Sequence, residues 1–145
     1  MSATALDKHY PIDHGDYVRA GEASADIKRA LRQLGVSMEV LRRVSVAAYE
    51  AEMNMVIHGQ GGTLALEIDF EYIQLVAEDN GPGIPNLQLA MQEGYSTAGD
   101  EIREIGFGAG MGLPNINRCV DFLGIQNKPQ GGTIVTMQVS LGAEK

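Results

Sequence analysis

Tryptophan is absent, and a single cysteine, Cys119, stands among 145 residues. One thiol excludes an internal disulfide framework and a cysteine-based zinc cluster. Sitting within a helical pattern, it reads as a small buried hydrophobe. Cations are also scarce: 11 Lys and Arg face 19 Asp and Glu, a net charge of −8. That balance argues against a nucleic-acid partner, which requires a basic face. A local basic patch for phosphates stays open, but a long backbone track does not. No apolar run approaches the ~20 residues of a membrane span. Residues Met1 to Asp7 lack the charged and apolar regions of a signal peptide. The expectation is a cytoplasmic protein with no membrane contact. Two common nucleotide motifs are missing as well. There is no Gly-x-x-x-x-Gly-Lys-Ser/Thr, and each candidate Gly-x-Gly-x-x-Gly lacks its third glycine. Eukaryotic-type kinase signatures are absent. With no repeat, low-complexity tract or linker, and with 44% apolar and 21% charged residues, residues 1–145 read as one domain with a real core.

Glycine is present in quantity, 18 residues, and four of them alternate in Gly106-Phe107-Gly108-Ala109-Gly110-Met111-Gly112-Leu113-Pro114. The run leads into Asn115 to Leu123, whose apolar residues have helical spacing. Glycine permits close backbone approach to a ligand, and proline is tolerated in the first helical turn. A glycine loop that feeds a helix N-terminus offers free N–H groups and a favourable dipole to phosphate oxygens. Upstream, Val76-Ala77-Glu78-Asp79-Asn80-Gly81-Pro82-Gly83-Ile84-Pro85 reads as a strand ending in a turn that carries one acidic residue. A mobile surface loop is the plainer alternative for such glycines. Two glycine turns flanking one helix-length segment, each beside a polar candidate, favour the site.

Along the chain, residues 1–7 are expected to be disordered. Lys8 to Ile12 and Tyr17 to Ala20 read as short strands or as a hairpin around His14-Gly15-Asp16. Ser24 is the expected N-cap of a helix from Ala25 to Leu34, with Ile27, Ala30, Leu31 and Leu34 as its apolar stripe and Gly35 as its stop. Ser37 caps a longer helix, Met38 to about Ile57. Leu64, Leu66 and Ile68 alternate with polar or small residues in a strand pattern, and Tyr72 to Ala77 reads as the antiparallel partner. Leu87 to Gln92 suggests a short helix, Glu93 to Ile105 a loop, Leu113 to Phe122 a helix, Ile125 a strand and Thr133 to Leu141 the last strand. The outcome is a two-layer α/β sandwich: an antiparallel or mixed sheet with about three helices on one face.

The second helix is apolar on nearly every side, as a buried helix should be, yet Glu50, Asn54 and His58 recur on one face. Burying an ionised carboxylate without partners costs several kcal/mol. The stripe therefore faces either solvent or a ligand. For His58 a solvated edge is the reading; for Glu50 and Asn54 together it is function. An amide oxygen suits Mg²⁺, which takes few protein ligands when phosphates supply the rest. A carboxylate one turn away is suited to accept a proton from an attacking hydroxyl or water. Glu52 points elsewhere and reads as a surface charge.

These residues carry a resemblance to the GHKL nucleotide-binding proteins. Glu50-Ala51-Glu52-Met53-Asn54 resembles their N-box, Asp79-Asn80-Gly81-Pro82-Gly83-Ile84 the next box, Gly108-Ala109-Gly110-Met111-Gly112-Leu113 the glycine box, and Gly132-Thr133 the final Gly-Thr box. Four boxes in order, over roughly residues 45–140, make a specific match. Within the family the chain looks most like bacterial anti-sigma-factor serine kinases and the related switch kinase of the stress module. The resemblance implies a Bergerat-type sandwich, ATP and Mg²⁺ as cofactors, and phosphorylation of a serine or threonine in a small STAS-domain antagonist. Asp79, supported by Thr133, would accept a hydrogen bond from the adenine amino group. Asn54 would hold Mg²⁺ and Glu50 would be the base. Gly108, Gly110 and Gly112 would bring N–H groups onto the phosphates, Gly81 and Gly83 would make room for the base, and residues 93–107 would form the lid. Met91 and Met111 are candidates to pack on adenine, with core filling the plainer role.

One departure bears on transfer. Anti-sigma kinases place an arginine very close to the glycine box, whereas Arg103 lies five residues before Gly108. A second reading is therefore a nucleotide-gated module that sequesters a sigma factor or regulator with little chemistry. A third, the catalytic half of a histidine kinase, would need a helical dimerisation domain from a partner. Leu6 to Arg43 is the segment open to a homodimer or partner surface.

Overall fold

The computed structural model describes residues 6–13, 15, 18–58, 61–80, 112–128 and 131–141. They form β1 (Leu6–Ile12), α1 (Glu22–Leu34), α2 (Met38–His58), β2 (Gly62–Ile68), β3 (Tyr72–Asp79), α3 (Gly112–Cys119), β4 (Phe122–Asn127) and β5 (Thr133–Ser140). The strands make one sheet in the order β1-β2-β3-β5-β4, and every pairing is antiparallel. The choice between antiparallel and mixed is thus resolved in favour of the former.

Alternation decides which face is covered. Leu64, Leu66 and Ile68 of β2, Ile73, Leu75 and Ala77 of β3, and Met137 and Val139 of β5 are buried together with Ile27, Leu31, Val44, Ala48 and Ile116 of the helices. The residues between them, such as Glu67 and Gln74, remain exposed or half-buried. A period-2 strand pattern can bury only one side, and the helices occupy that side.

Local chemistry accounts for several element ends. Gly35 adopts φ 78, the left-handed region, and its N–H bonds back to Arg32 and Leu31 carbonyls, which closes α1 as a glycine C-terminal stop should. Ser37 Oγ then accepts the Val40 N–H at 3.2 Å, so the expected cap of α2 is present. Asp69 Oδ1 accepts the N–H groups of Glu71 and Tyr72 at 2.8 and 2.9 Å, an Asx turn that reverses the chain between β2 and β3.

Five expectations about the course of the chain and Cys119 are corrected, and a sixth, for Glu52, follows from the packing of α2. Leu6 and Asp7 are not disordered but open β1. The expected hairpin is replaced by pairing of β1 with β2, Leu6 opposite Ile68 and Ile12 opposite Gly62; residues 18–20 are turn, and His14, Asp16 and Tyr17 lie outside the described residues. Ser24 lies inside α1, which begins at Glu22 with Gly21 at the cap position; its hydroxyl donates to Gly21 O at 3.1 Å instead of accepting. The third helix ends at Cys119, and Phe122 already belongs to β4. Cys119 itself is half-buried.

α2 is the spine of the helical layer, packed between α1 and α3 and over β1, β2, β3 and β5. It also terminates both neighbours with charge. Glu52 is 2% exposed and accepts N–H bonds from Gly21, Ala23 and Ser24 at 3.0, 3.3 and 2.9 Å. At the other end, Arg43 donates to Cys119 O at 2.8 Å and to Asp121 Oδ1 at 2.9 Å. An anion thus meets the N-terminus of α1 and a cation the C-terminus of α3, as the helix dipoles favour. The expectation that Glu52 is a surface charge fails for this reason: a buried carboxylate is tolerated where orphan N–H groups satisfy it.

Candidate functional site

α2 supplies Glu50 and Asn54. Both are half-buried, while Ala51, Glu52, Met53 and Met55 around them are buried. Four residues apart, they lie on one face of the helix with neighbouring side chains in reach. Glu50 does not face open solvent: Asn115 Nδ2 of α3 donates to its Oε2 at 3.2 Å. Burial pushes the Glu50 carboxyl up from the ordinary 4.5, and the Asn115 hydrogen bond draws it part of the way back. A raised carboxyl is a better proton acceptor once ionised, which is what general-base work at neutral pH asks of it.

Asp79 closes β3, opposite Gly62 of β2 and opposite Thr133 of β5. Thr133 is 3% exposed and Asp79 half-buried. The glycines on the two flanks are required by space. A Cβ on Gly62 would strike Glu78 O and lie 2.7 Å from Asp79 Cα and 2.8 Å from Met55 Cε. A Cβ on Gly132 would strike Asp79 O, and Gly132 also sits at φ +103, a region that side chains disfavour. Lys128 ties this end down, reaching Glu78 at 3.2 Å and Asn80 Oδ1 at 3.3 Å. The end of β3 is therefore gripped on both sides by backbone, with Met55 of α2 beneath it.

Among the expected site residues, Glu50, Asn54, Asp79, Leu113 and Thr133 are described, with Leu113 buried at the start of α3 and Gly112 opening that helix. Gly81, Gly83, Ile84, Gly108, Gly110 and Met111 lie outside the described residues, as do Met91, Arg103, the helix expected at 87–92 and the lid expected at 93–107. Among the described residues two juxtapositions build the site: the Glu50 face of α2 meets α3, the helix that the glycine run precedes in sequence, and α2 passes under the Asp79 end of β3. Among the described residues no group of three His, Cys, Asp or Glu could hold a metal ion. A site built on Asn54 does not need one, since a lone amide oxygen fits an ion whose other ligands are phosphate and water. No helix of the described residues is long and apolar enough to cross a membrane.

Two residues of the site escape sequence reasoning. Asn115 belongs to none of the boxes, and only its contact with Glu50 marks it. Gly62 follows two other glycines and reads as a chain break; its place opposite Asp79 gives it a second role.

The chain is similar to known proteins in sequence and in fold. The family model described as "Histidine kinase-like ATPase domain" matches residues 15–139. The chain is 27% identical over 110 residues to the serine/threonine-protein kinase RsbT of Bacillus subtilis, covering 73% of this chain and 77% of that one. It is 30% identical over 118 residues to the anti-sigma F factor of a Thermoanaerobacter species, covering 78% and 79%. Among solved structures, the RsbU and RsbW domains of Rv1364c from Mycobacterium tuberculosis share the fold with a TM-score of 0.65 at 16% identity. That match covers 94% of this chain and 32% of the larger one.

Proposed function

Because the chain belongs to the histidine kinase-like ATPase domain family, we propose that it is an ATP-dependent protein serine/threonine kinase of the anti-sigma type, acting in the cytoplasm on a STAS-domain antagonist. The relatives named as a serine/threonine-protein kinase and as an anti-sigma factor support this reading. The single observation that carries it is the position of Glu50, a half-buried carboxylate on α2 hydrogen-bonded to α3, the helix entered through the glycine run.

In this reading Asp79 accepts the adenine amino group's hydrogen bond and Thr133, beside it in the sheet, supports that contact. A carboxylate acceptor there favours adenine over guanine, whose keto oxygen offers no donor at that position. Gly81, Gly83 and Ile84 make room for the base. Gly108, Gly110, Met111, Gly112 and Leu113 form the phosphate cradle. Asn54 would hold Mg²⁺, which neutralises charge on the phosphates when bound. Glu50 accepts the proton of the substrate hydroxyl as that oxygen attacks the γ-phosphorus. The new O–P bond forms while the bond to the bridging oxygen of ADP breaks, and ADP leaves with that electron pair.

The test is transfer of labelled phosphate from ATP to a STAS-domain protein encoded beside this one. Glu50→Gln should stop transfer and leave ATP binding intact. ATP binding without transfer to any such partner would refute the kinase and favour a nucleotide-gated module that sequesters a sigma factor. That second reading rests on the anti-sigma relatives and on the spacing of Arg103 from Gly108 in the sequence.

A further inference from the structure

Asn115 sits at the end of the first turn of α3 and is half-buried. Its two amide atoms are both engaged: Nδ2 donates to Glu50 Oε2 at 3.2 Å, and Oδ1 accepts from Arg118 Nη2 at 2.6 Å. A guanidinium can only donate and a carboxylate can only accept. The two neighbours therefore permit one orientation of the amide, nitrogen toward Glu50 and oxygen toward Arg118. Among the described residues no ion pair engages Glu50 and no hydrogen bond engages its Oε1.

The arrangement places a neutral amide between a base and the nearest cation of α3. A direct arginine partner would hold the carboxylate ionised but would lower its pKa by roughly 1–3 units and weaken it as a base. An amide orients the carboxylate and draws its raised pKa only part of the way back. We propose that Asn115 is a positioning residue for phosphoryl transfer: oriented by Arg118, it holds Oε2 of Glu50 and leaves Oε1 to take the proton of the incoming hydroxyl. The inference rests on the reading of Glu50 as the base, and it adds a residue and a hydrogen-bond order that this reading does not contain.

The experiment compares Asn115→Leu, Asn115→Asp and Arg118→Gln with the unsubstituted protein, all checked for an unchanged denaturation transition. Asn115→Asp is isosteric and replaces the donor with a second carboxylate, whereas Arg118→Gln changes an exposed side chain that meets the amide oxygen and not Glu50. Loss of orientation should lower kcat for partner phosphorylation by about ten- to hundredfold in both Asn115 variants, with a smaller loss in Arg118→Gln. The KM for ATP and its calorimetric affinity should stay within about twofold, since the bond orients the base and not the nucleotide. A folded Asn115→Leu with unaltered kcat overturns the proposal. So does a parallel rise in KM for ATP, which would assign Asn115 to nucleotide binding. Failure of Asn115→Leu to fold leaves the decision to Asn115→Asp and Arg118→Gln. If the unsubstituted protein transfers no phosphate, the kinase reading fails separately. The positioning claim is then read from the side-chain carboxyl carbon NMR signal of Glu50, assigned by its loss in Glu50→Gln. A signal that shifts in both Asn115 variants supports it, and one unmoved in either overturns it.

Discussion

The Glu52 carboxylate of α2 stands over the first turn of α1, its Oε1 2.9 Å from the backbone nitrogen of Ser24. With Gly21 and Ala23 also bonded to Oε2, one buried side chain satisfies three of the helix's orphan donors. Replacing it by alanine should leave these N–H groups buried without acceptors, at roughly 1–3 kcal/mol per unsatisfied group before water enters. We expect Glu52→Ala to lower the urea midpoint by several times the shift given by an exposed control, Glu39→Ala. Equal shifts would mean that the cap contributes nothing.

Glycine at positions 62 and 132 is a matter of clearance. Gly62→Ala should push its Cβ into Glu78 O and Asp79 Cα, splaying the β2–β3 end where Asp79 is held. The variant should lose nucleotide affinity by more than tenfold while keeping its far-ultraviolet dichroism. Gly124→Ala, where the added Cβ meets only the Phe122 ring at 3.2 Å, is the control and should bind as the unsubstituted protein does.

The Tyr10 hydroxyl donates to Asp26 Oδ2 at 2.5 Å, and Arg29 and Lys8 reach the same carboxylate. Burial, with Asp26 next in effect, raises the Tyr10 pKa well above the ordinary 10.0. The Tyr10 bond first, then Arg29 and Lys8, hold Asp26 well below the ordinary 3.8. The raised phenol stabilises the fold fully below pH 10 and loses that contribution as pH climbs toward its folded value. The depressed carboxylate stabilises fully above about pH 4 and loses that contribution as pH falls. Tyr10→Phe should therefore cost about 1 kcal/mol at pH 7, discounted for partial exposure. The gap from the unsubstituted protein should narrow above pH 10 and below pH 4 in urea titrations. A gap independent of pH would dissociate the pair from stability.

Glu50 titrates in the opposite sense from Asp26, because burial raises it. As a base it must be ionised, so transfer should fall as pH drops, with the acid limb centred above 4.5. A pH–kcat profile flat down to pH 4 would remove Glu50 from the proton transfer.

Which of these features the sequence discloses depends on how far apart the interacting residues lie along it. Gly35, Ser37 and the β2–β3 alternation act within a few residues, and each is legible as propensity or period. The polar stripe on an apolar helix is legible too, since burial makes Glu50 and Asn54 anomalous. Glu52 carries the same anomaly, but the N–H groups that donate to it sit 28 to 31 residues away. With those donors invisible, a solvated face is the natural reading of an isolated glutamate. Asn115 meets Glu50 across 65 residues, and β1 finds its partner across the whole of α1 and α2. Ser24 misleads for a related reason: the cap of α1 is supplied by another helix, so the helix begins earlier than its own serine suggests.

The proposed kinase requires one adenine nucleotide held between α2, the Asp79 end of β3 and the glycine run. Calorimetry of ATP, with and without Mg²⁺, on the unsubstituted protein and on Asp79→Asn tests it most directly. The prediction is saturable binding that strengthens with Mg²⁺, prefers ATP to GTP and is lost in a folded Asp79→Asn. Binding that is absent from the unsubstituted protein, or indifferent to Asp79, would contradict it.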